Sequence, residues 1–281
     1  METETKRSRQ AFGSSGGKFH LARKISGIMP EHETYVEPYA GGAAVFFWKE
    51  PAKKAVLNDM DKEIAFAYKF LRDMTPGEYK ELQKKDWIIS SETFDRVKNM
   101  KPANDVDRFY KFYYLKRGSF RMTTKGVNTG SVGQRIGIER LLRVQDRLRG
   151  VAVGSVDAIK MIDKYDSKDT LFYLDPPYPG TSAIGGYAPG FNEDDLKKLI
   201  ERLKTVRGKF IVSMDTGNTK LFPRWMNIHR VATLTHQNDG HHRTRMEIIA
   251  TNYDIKKAKA RRERPRRRGS GQPGRTLTVG R

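Results

Sequence analysis

Short apolar runs rich in β-branched residues alternate with amphipathic helical patterns along most of this chain. Such alternation is typical of parallel strands joined by crossover helices. We therefore predict an α/β fold with a mostly parallel sheet flanked by helices. Strands are predicted at residues 34–37, 55–58, 151–156, 171–174, 209–214, 231–235 and 247–253. Helices are predicted at about residues 18–29, 42–50, 61–73, 138–149 and 192–206.

The segment 75–150 interrupts the alternation. It holds helical stretches and then a polar stretch, RGSFRMTTKGVNTGSVGQR, which is rich in Gly and Arg and has no apolar core of its own. We predict an insertion there, between the two parts of a main domain at 16–74 and 151–255. Residues 1–15 are polar and basic and are predicted to form a mobile arm. Residues 256–281 carry eleven Lys or Arg against one Glu, and a disordered basic tail is predicted.

The balance of charge narrows the choice of partner. Lys and Arg number 54 and Asp and Glu 33, a formal net charge of +21, which favours a polyanion. A basic protein of the ribosomal type would have the same balance. The chain has no Cys, which excludes disulfides, thiolate metal sites and Cys nucleophiles. The stretch METETKRSRQ has no apolar core of the kind found in signal peptides, and no apolar run approaches the length of a membrane span, so we expect a cytoplasmic protein without a membrane partner.

A Gly-rich turn follows the first predicted strand in the sequence VEPYAGGAAVFF. Gly41 and Gly42 would let a cofactor approach the backbone there, although they could also simply close a tight turn. Asp59 lies just past the second strand, where a carboxylate can accept hydrogen bonds from ribose hydroxyls or cap a helix that begins near Asp61. The spacing G-x-G-x-x-G is missing, so a dinucleotide is not favoured. No metal is expected from His236, His241 and His242.

The most informative motif is Asp175-Pro176-Pro177-Tyr178, which follows the apolar run LFYL. Two prolines cannot continue a strand ladder, so they form a rigid turn at the carboxyl edge of the sheet. An exocyclic amine is a poor nucleophile because its lone pair is delocalised into the ring. The Asp175 carboxylate and the Pro176 carbonyl could each accept one amine hydrogen and favour pyramidalisation, and the Tyr178 ring could stack on a flipped base. The alternative is a chance turn in a surface loop.

The order of these motifs resembles that of Dam-like adenine-N6 DNA methyltransferases of the D12 class. The similarity covers about residues 13–254 and includes Gly16-Gly17-Lys18 at its start and Asn252-Tyr253 in a closing strand that begins near Arg245-x-Glu247. It implies a Rossmann-like S-adenosylmethionine-dependent methyltransferase fold with a small DNA-recognition insertion. It implies that Asp175, Pro176, Pro177 and Tyr178 are catalytic. It also implies that S-adenosylmethionine is bound by Lys18, Glu37, Pro38, Tyr39, Ala40, Gly41, Gly42, Asp59 and Asp157.

The same resemblance assigns DNA recognition to the insertion. The sequence departs from the family pattern at one point, because the second glycine of the cofactor motif is displaced from the commoner Gly-x-Gly form. The partner it implies is double-stranded DNA with the target adenine flipped out, and a restriction nuclease is a further candidate partner. A flexible solvated loop is the alternative for the polar stretch. Candidates for phosphate and base contacts are Arg117, Arg121, Lys125, Asn128 and Arg135.

Other functions fit part of the pattern. Cytosine N4 and RNA adenine N6 are also exocyclic amines, and Asp rather than Ser at position 175 favours DNA adenine by resemblance only. A protein glutamine methyltransferase usually has Asn at that position and does not need so basic a chain. The alternative from another class is a DNA-binding protein that has lost catalysis. The presence of Lys18, Asp59 and Asp175 argues against it.

Overall fold

The computed structural model describes residues 10–13, 18–119, 126–179, 191–236 and 242–258. Within these residues the strands are β1 (Thr34–Glu37), β2 (Lys54–Asn58), β3 (Ala152–Gly154), β4 (Thr170–Leu174), β5 (Lys209–Asp215), β6 (Asn227–His236) and β7 (His242–Thr251). They form one sheet in the order β3-β2-β1-β4-β5-β7-β6. The first five pair in parallel, and β7 is antiparallel to both β5 and β6. The predicted mostly parallel α/β sheet and its seven strands are confirmed.

Helices flank the sheet on both faces. In the described residues they are α1 (Phe19–Ile28), α2 (Ala44–Trp48), α3 (Lys62–Asp73), α4 (Pro76–Gln83), α5 (Ser91–Asn99), α6 (Asp105–Gly118), α7 (Arg140–Leu148), α8 (Ala158–Tyr165) and α9 (Glu193–Lys204). The five predicted helices are confirmed, with ends that shift by no more than two residues. The sequence pattern misses α8, because eight residues are too few to establish a helical period.

Alternate side chains along each central strand enter two separate cores. Tyr35 and Tyr173 belong to a core shared with α1, α2, α3 and α7, whereas Val36 and Phe172 belong to a core shared with α8 and α9. Successive side chains of a strand point to opposite faces, so a sheet that is covered on both sides needs apolar residues at nearly every position. All five residues of β4 are buried accordingly.

The order of the strands reverses between β1 and β4. From β1 the chain proceeds outward through β2 to β3, and then crosses to the other side of β1 to form β4. Connections therefore leave the carboxyl ends of β1 and β4 in opposite directions, which opens a crevice between them. In open α/β sheets this reversal point is where ligands bind. Glu37 ends β1 and Asp175 follows β4, so both lie at this point.

The predicted mobile arm extends too far. Residues 10–13 are packed, and the ring of Phe12 is buried, 4.9 Å from the ring centre of Tyr68 and 5.0 Å from that of Phe112. The cause is an apolar pair, Ala11-Phe12, inside an otherwise polar segment. The rest of the predicted arm, residues 1–9 and 14–15, lies outside the described residues.

The predicted basic tail begins too early. Residues 255–258 form a short helical turn, and its Ile255 and Ala258 are buried. Residues 259–281 lie outside the described residues. No helix in the described part of the chain is long and apolar enough to cross a membrane.

The segment predicted as an insertion contains α4 to α7 and an aromatic core. Trp87 is fully buried, and its indole N–H donates to the Leu82 carbonyl over 2.7 Å. Tyr113 is also buried and contacts the Trp87 ring at 5.9 Å. The last helix, α7, packs on α3 through buried Leu141, Val144 and Leu148, so it also belongs to the layer that covers the sheet. That residues 75–150 form a separate recognition insertion remains a prediction.

Gly208, just before β5, provides a test of this packing. A Cβ at this position would lie 2.7 Å from the Thr170 carbonyl oxygen and 2.9 Å from that of Ser167, and neither backbone atom can move cheaply. We expect Gly208→Ala to lower the free energy of unfolding by about 1–3 kcal/mol. Gly27→Ala is the matched control, since Gly27 is exposed in α1 with nothing within 4 Å of the added carbon. Thermal unfolding would contradict the packing if Gly208→Ala were as stable as Gly27→Ala.

Candidate active site

The Gly-rich turn after β1 is held in a left-handed conformation at two positions. Gly41 has φ +46° and Ala43 has φ +49°. A left-handed backbone favours glycine, and a residue with a Cβ adopts it at a cost. Position 43 is also where the commoner Gly-x-Gly form would place its second glycine. The displaced glycine seen in the sequence therefore corresponds to an alanine that adopts the glycine conformation, with its N–H donating to the Ala40 carbonyl over 2.6 Å.

Asp59 ties this turn to the end of β2. Its Oδ2 accepts from the Gly41 N–H over 2.8 Å and its Oδ1 from the Asp61 N–H over 2.9 Å. Burial raises the pKa of Asp59 to about 6. The helix cap is a different residue, because Asp61 Oδ1 accepts from the Glu63 N–H at the start of α3. Each carboxylate oxygen of Asp59 has a second lone pair, so the side chain keeps the capacity to accept a ribose hydroxyl.

Asn58 joins three strand ends, a role that the sequence does not predict. Its Nδ2 donates to the Pro38 carbonyl over 2.9 Å and to the Val156 carbonyl over 2.8 Å, and its Oδ1 accepts from the Val156 N–H over 3.0 Å. The side chain is buried. These bonds replace strand pairing at Val156 and explain why β3 ends earlier than predicted. No local sequence pattern distinguishes this Asn, because its partners Pro38 and Val156 follow other strands.

Asp157 is exposed at the same edge and caps α8. Its Oδ1 accepts from the N–H groups of Ile159 and Lys160 over 2.9 and 3.2 Å. Two large apolar side chains beside these acids, Met60 and Val156, are 56% and 43% exposed. Exposed apolar side chains next to acids that accept hydrogen bonds suit a ligand with a flat ring and hydroxyl groups.

Glu37 is a buried carboxyl group at the crevice. Its Oε1 accepts from the Tyr35 hydroxyl over 2.6 Å and from the Phe46 N–H over 2.8 Å. Burial raises the pKa of Glu37 to about 8, so the group is mostly neutral at pH 7. A positively charged ligand in the crevice would favour its ionised form.

Asp175 lies across the crevice, with about a fifth of its side chain exposed. Its Oδ1 accepts from Lys18 Nζ over 2.8 Å and from Ser213 Oγ over 3.0 Å. Pro176 is buried, Pro177 is exposed and Tyr178 is half-buried. Burial raises the pKa of Tyr178 to about 12, against the opposing effect of Lys18, so its ring stays neutral. The turn thus presents a fixed carboxylate beside a neutral aromatic ring.

Lys18 is almost fully buried just before α1 and lies between two carboxylates. Its Nζ is 2.8 Å from Asp175 and 3.8 Å from Glu247 of β7, and it lies 5.1 Å from the centre of the Tyr178 ring. Burial alone would lower the pKa of Lys18, but Asp175, Tyr178 and Glu247 raise it, so the ammonium group keeps its charge. Gly16 and Gly17 lie outside the described residues.

Most of the residues around the crevice lie in a segment that matches a known enzyme family. Residues 14–237, most of the chain, match the D12 class N6 adenine-specific DNA methyltransferase family. The chain belongs to this family. Its reaction is the transfer of a methyl group from S-adenosylmethionine to adenine N6 in DNA, and the sheet described above is a Rossmann-like methyltransferase fold.

Individual relatives agree with the family. The Type II methyltransferase M1.LlaDCHI of Lactococcus lactis subsp. cremoris is 27% identical over 268 residues, which cover 85% of this chain and 93% of the relative. The Type II methyltransferase M.CviBI of Paramecium bursaria Chlorella virus NC1A is 24% identical over 208 residues, 70% of this chain and 79% of its own. A DNA N-6-adenine-methyltransferase of Escherichia phage P1 is 24% identical over 241 residues, which cover 74% of this chain and 30% of the phage protein.

Of the predicted DNA-contacting residues, Arg117 and Asn128 adjoin the antiparallel bridge between Ser119 and Val127, and Arg135 forms a bridge with Ile88. Arg117 and Arg135 are exposed. Asn128 is used locally, since its Oδ1 accepts from the Gly130 N–H over 3.2 Å and its Nδ2 donates to Ser131 Oγ over 3.0 Å. Arg121 and Lys125 lie outside the described residues. DNA contact by these side chains remains a prediction.

Asp59 should bind the cofactor more tightly when it is ionised. We expect Asp59→Ala to weaken binding of S-adenosylmethionine by about 1–3 kcal/mol, since a buried hydrogen-bond acceptor is lost. Because the pKa of Asp59 is about 6 and ribose hydroxyls donate to the carboxylate, affinity of the unmodified enzyme should fall as the pH is lowered through 6. Asp59→Ala should lack that step but keep a separate one near the pKa of Glu37, about 8.

Calorimetric titration across both pKa values measures these steps. Asp61→Ala is the matched control, because it removes the neighbouring acid that caps α3 and should leave the step near pH 6 in place. An Asp59→Ala enzyme with unchanged affinity and an unchanged pH profile would mean that Asp59 serves only to hold the Gly41 turn.

Proposed function

We propose that this enzyme methylates adenine N6 at a specific sequence in double-stranded DNA, on a base flipped out of the duplex into the crevice beside Asp175. The observation that carries the proposal is the position of Asp175. Asp175 begins the turn that follows β4 at the reversal point of the sheet, and Lys18 and Ser213 both bind the same carboxylate oxygen, Oδ1. A carboxylate fixed in this way can receive an amine in one orientation.

The residues around the crevice fit S-adenosylmethionine. We assign the ribose hydroxyls to Asp59, the adenine ring to the apolar side chains of Met60 and Val156, and its amino group to Asp157. The backbone from Glu37 to Gly42, with Lys18 opposite, would hold the methionine part, whose positive charges favour ionised Glu37. When bound, the cofactor supplies an electrophilic methyl group on a positively charged sulfur.

Asp175 and Pro176 orient the target amine. The carboxylate would accept one N6 hydrogen and the Pro176 carbonyl the other, so that nitrogen becomes pyramidal and its lone pair points at the methyl carbon. With the cofactor bound, N6 would bond to the methyl carbon as its bond to sulfur breaks, and that electron pair would stay on sulfur. Asp175 would be the adjacent acceptor for the proton that the methylated nitrogen loses. The buried ammonium of Lys18 stabilises the ionised carboxylate before transfer.

Tyr178 and the two prolines give the base its place. The neutral Tyr178 ring offers a flat face for stacking on an extruded adenine, and unstacked bases are held in this way by enzymes that act on them. Pro176 and Pro177 remove the backbone freedom that would let Asp175 and Tyr178 move apart. The four residues therefore act as a unit.

DNA itself would be held by the basic surface of the insertion. Exposed Arg117, near the Ser119–Val127 bridge, and exposed Arg135, in a bridge with Ile88, are suited to phosphate or base-edge contacts. We propose that residues 75–150 recognise the target sequence. A companion restriction nuclease is proposed on one ground. Two of the relatives are named Type II methyltransferases.

Asp175→Ala tests the assignment. We expect it to lower the single-turnover rate of methyl transfer to duplex DNA by roughly a hundredfold or more, because one fixed acceptor of the amine is lost. Folding and S-adenosylmethionine affinity should change little. Asp163→Ala is the matched control: it also removes one negative charge, from a surface pair with Arg202, and should keep the normal rate. A near-normal rate with radiolabelled cofactor in the Asp175→Ala enzyme would overturn the proposal.

A further inference from the structure

Behind Asp175, the buried hydroxyl groups of Ser213 and Tyr173 form a short hydrogen-bonded series. We propose that Ser213 is a positioning residue for methyl transfer. Its hydroxyl, oriented by the hydroxyl of Tyr173, holds Oδ1 of Asp175 together with Lys18, so that Oδ2 is the oxygen presented to the target amine. This inference rests on the proposed role of Asp175.

The sheet brings the three residues together. Leu174 of β4 pairs with Val212 of β5, so the next residue on each strand, Asp175 and Ser213, lie side by side at the carboxyl edge. Ser213 Oγ is 3.0 Å from Asp175 Oδ1 and 2.9 Å from the Tyr173 hydroxyl. Ser213 is fully buried, so water does not compete for these bonds.

The direction of the hydrogen bonds follows from the Asp175 carboxylate, which is the last acceptor in this series. An ionised carboxylate has no hydrogen, so Ser213 must donate to Asp175. The other acceptor within reach, the Leu174 carbonyl, is farther away at 3.5 Å. With its hydrogen committed, Ser213 Oγ accepts from Tyr173. Burial raises the pKa of Tyr173 well above its ordinary value, so the phenol keeps the hydrogen that it donates.

Only one of the two carboxylate oxygens of Asp175 has hydrogen-bond partners in the described residues. Lys18 and Ser213 both bind Oδ1, and within the described residues no hydrogen bond is made to Oδ2. The two donors approach from different elements, the start of α1 and the end of β5. Together they fix rotation of the carboxylate. Oδ2 then remains available to accept an N6 hydrogen.

A fixed acceptor matters more for the transition state than for binding. Rotation of the carboxylate would leave DNA and cofactor affinity almost intact but would reduce the fraction of complexes in which the lone pair points at the methyl carbon. Loss of Ser213 should therefore lower the rate and leave the Michaelis constants unchanged. A purely structural serine would instead affect stability.

The test compares Ser213→Ala, Tyr173→Phe and the double variant by single-turnover methyl transfer, with rates normalised to the sites that bind radiolabelled S-adenosylmethionine. Ser213→Ala should lower the rate by about tenfold or more, the size expected for a hydrogen bond to a charged group. Tyr173→Phe should lower it by about two- to fivefold, since it only orients Ser213. The double variant should match Ser213→Ala, because Tyr173 acts through the hydroxyl already removed.

Thr251→Val is the matched control. It removes another fully buried hydroxyl, on β7, which donates to the Tyr253 carbonyl over 2.7 Å and does not contact Asp175. Its normalised rate should be that of the unmodified enzyme. A normal rate in Ser213→Ala, or effects of the two changes that multiply in the double variant, would overturn the role of Ser213. A normal rate in Asp175→Ala would overturn the proposed function itself, so the two failures are distinct.

Discussion

The buried ion pair between Lys18 and Asp175 is the interaction on which the crevice depends. Removing two charges from water is costly unless each has a close partner and further hydrogen bonds. Here Lys18 Nζ lies 2.8 Å from Asp175 Oδ1 and 3.8 Å from Glu247 Oε2. The hydroxyl of Ser213 donates a further hydrogen bond to Asp175. The start of α1, the end of β4 and strand β7 are thereby joined at one point. The proposed catalytic geometry and the local packing share these contacts, so a change in one would change the other.

The other side of the crevice follows the same rule with neutral partners. Polar side chains at the strand ends bind backbone groups of neighbouring loops, as Asn58 does with Pro38 and Val156 and Asp59 does with Gly41. A loop bound in this way keeps its shape without a ladder of strand bonds. The carboxyl ends of β1, β2 and β3 are therefore rigid where a ligand would contact the backbone. They are open where Met60 and Val156 are exposed.

Local sequence signals predicted the strands, the Gly turn and the Asp-Pro-Pro-Tyr turn, because apolar periodicity, Gly and Pro act over a few residues. The same signals could not identify Ser213 or Asn58. Their roles arise from pairing between strands that are distant in sequence, and a single Ser or Asn in a strand has no pattern of its own. Phe12 was missed for a related reason, since its partners Tyr68 and Phe112 belong to separate helices. Whether Arg117, Asn128 and Arg135 contact DNA stays a prediction.

We propose that this chain places methyl groups on adenine N6 at a defined DNA sequence. Single-molecule sequencing of DNA from cells that express the protein, compared with the same cells without it, measures this directly. N6-methyladenine should appear at nearly every copy of one short sequence and nowhere else. Methylation of cytosine N4, or no new methylation while the folded protein is present, would contradict the account.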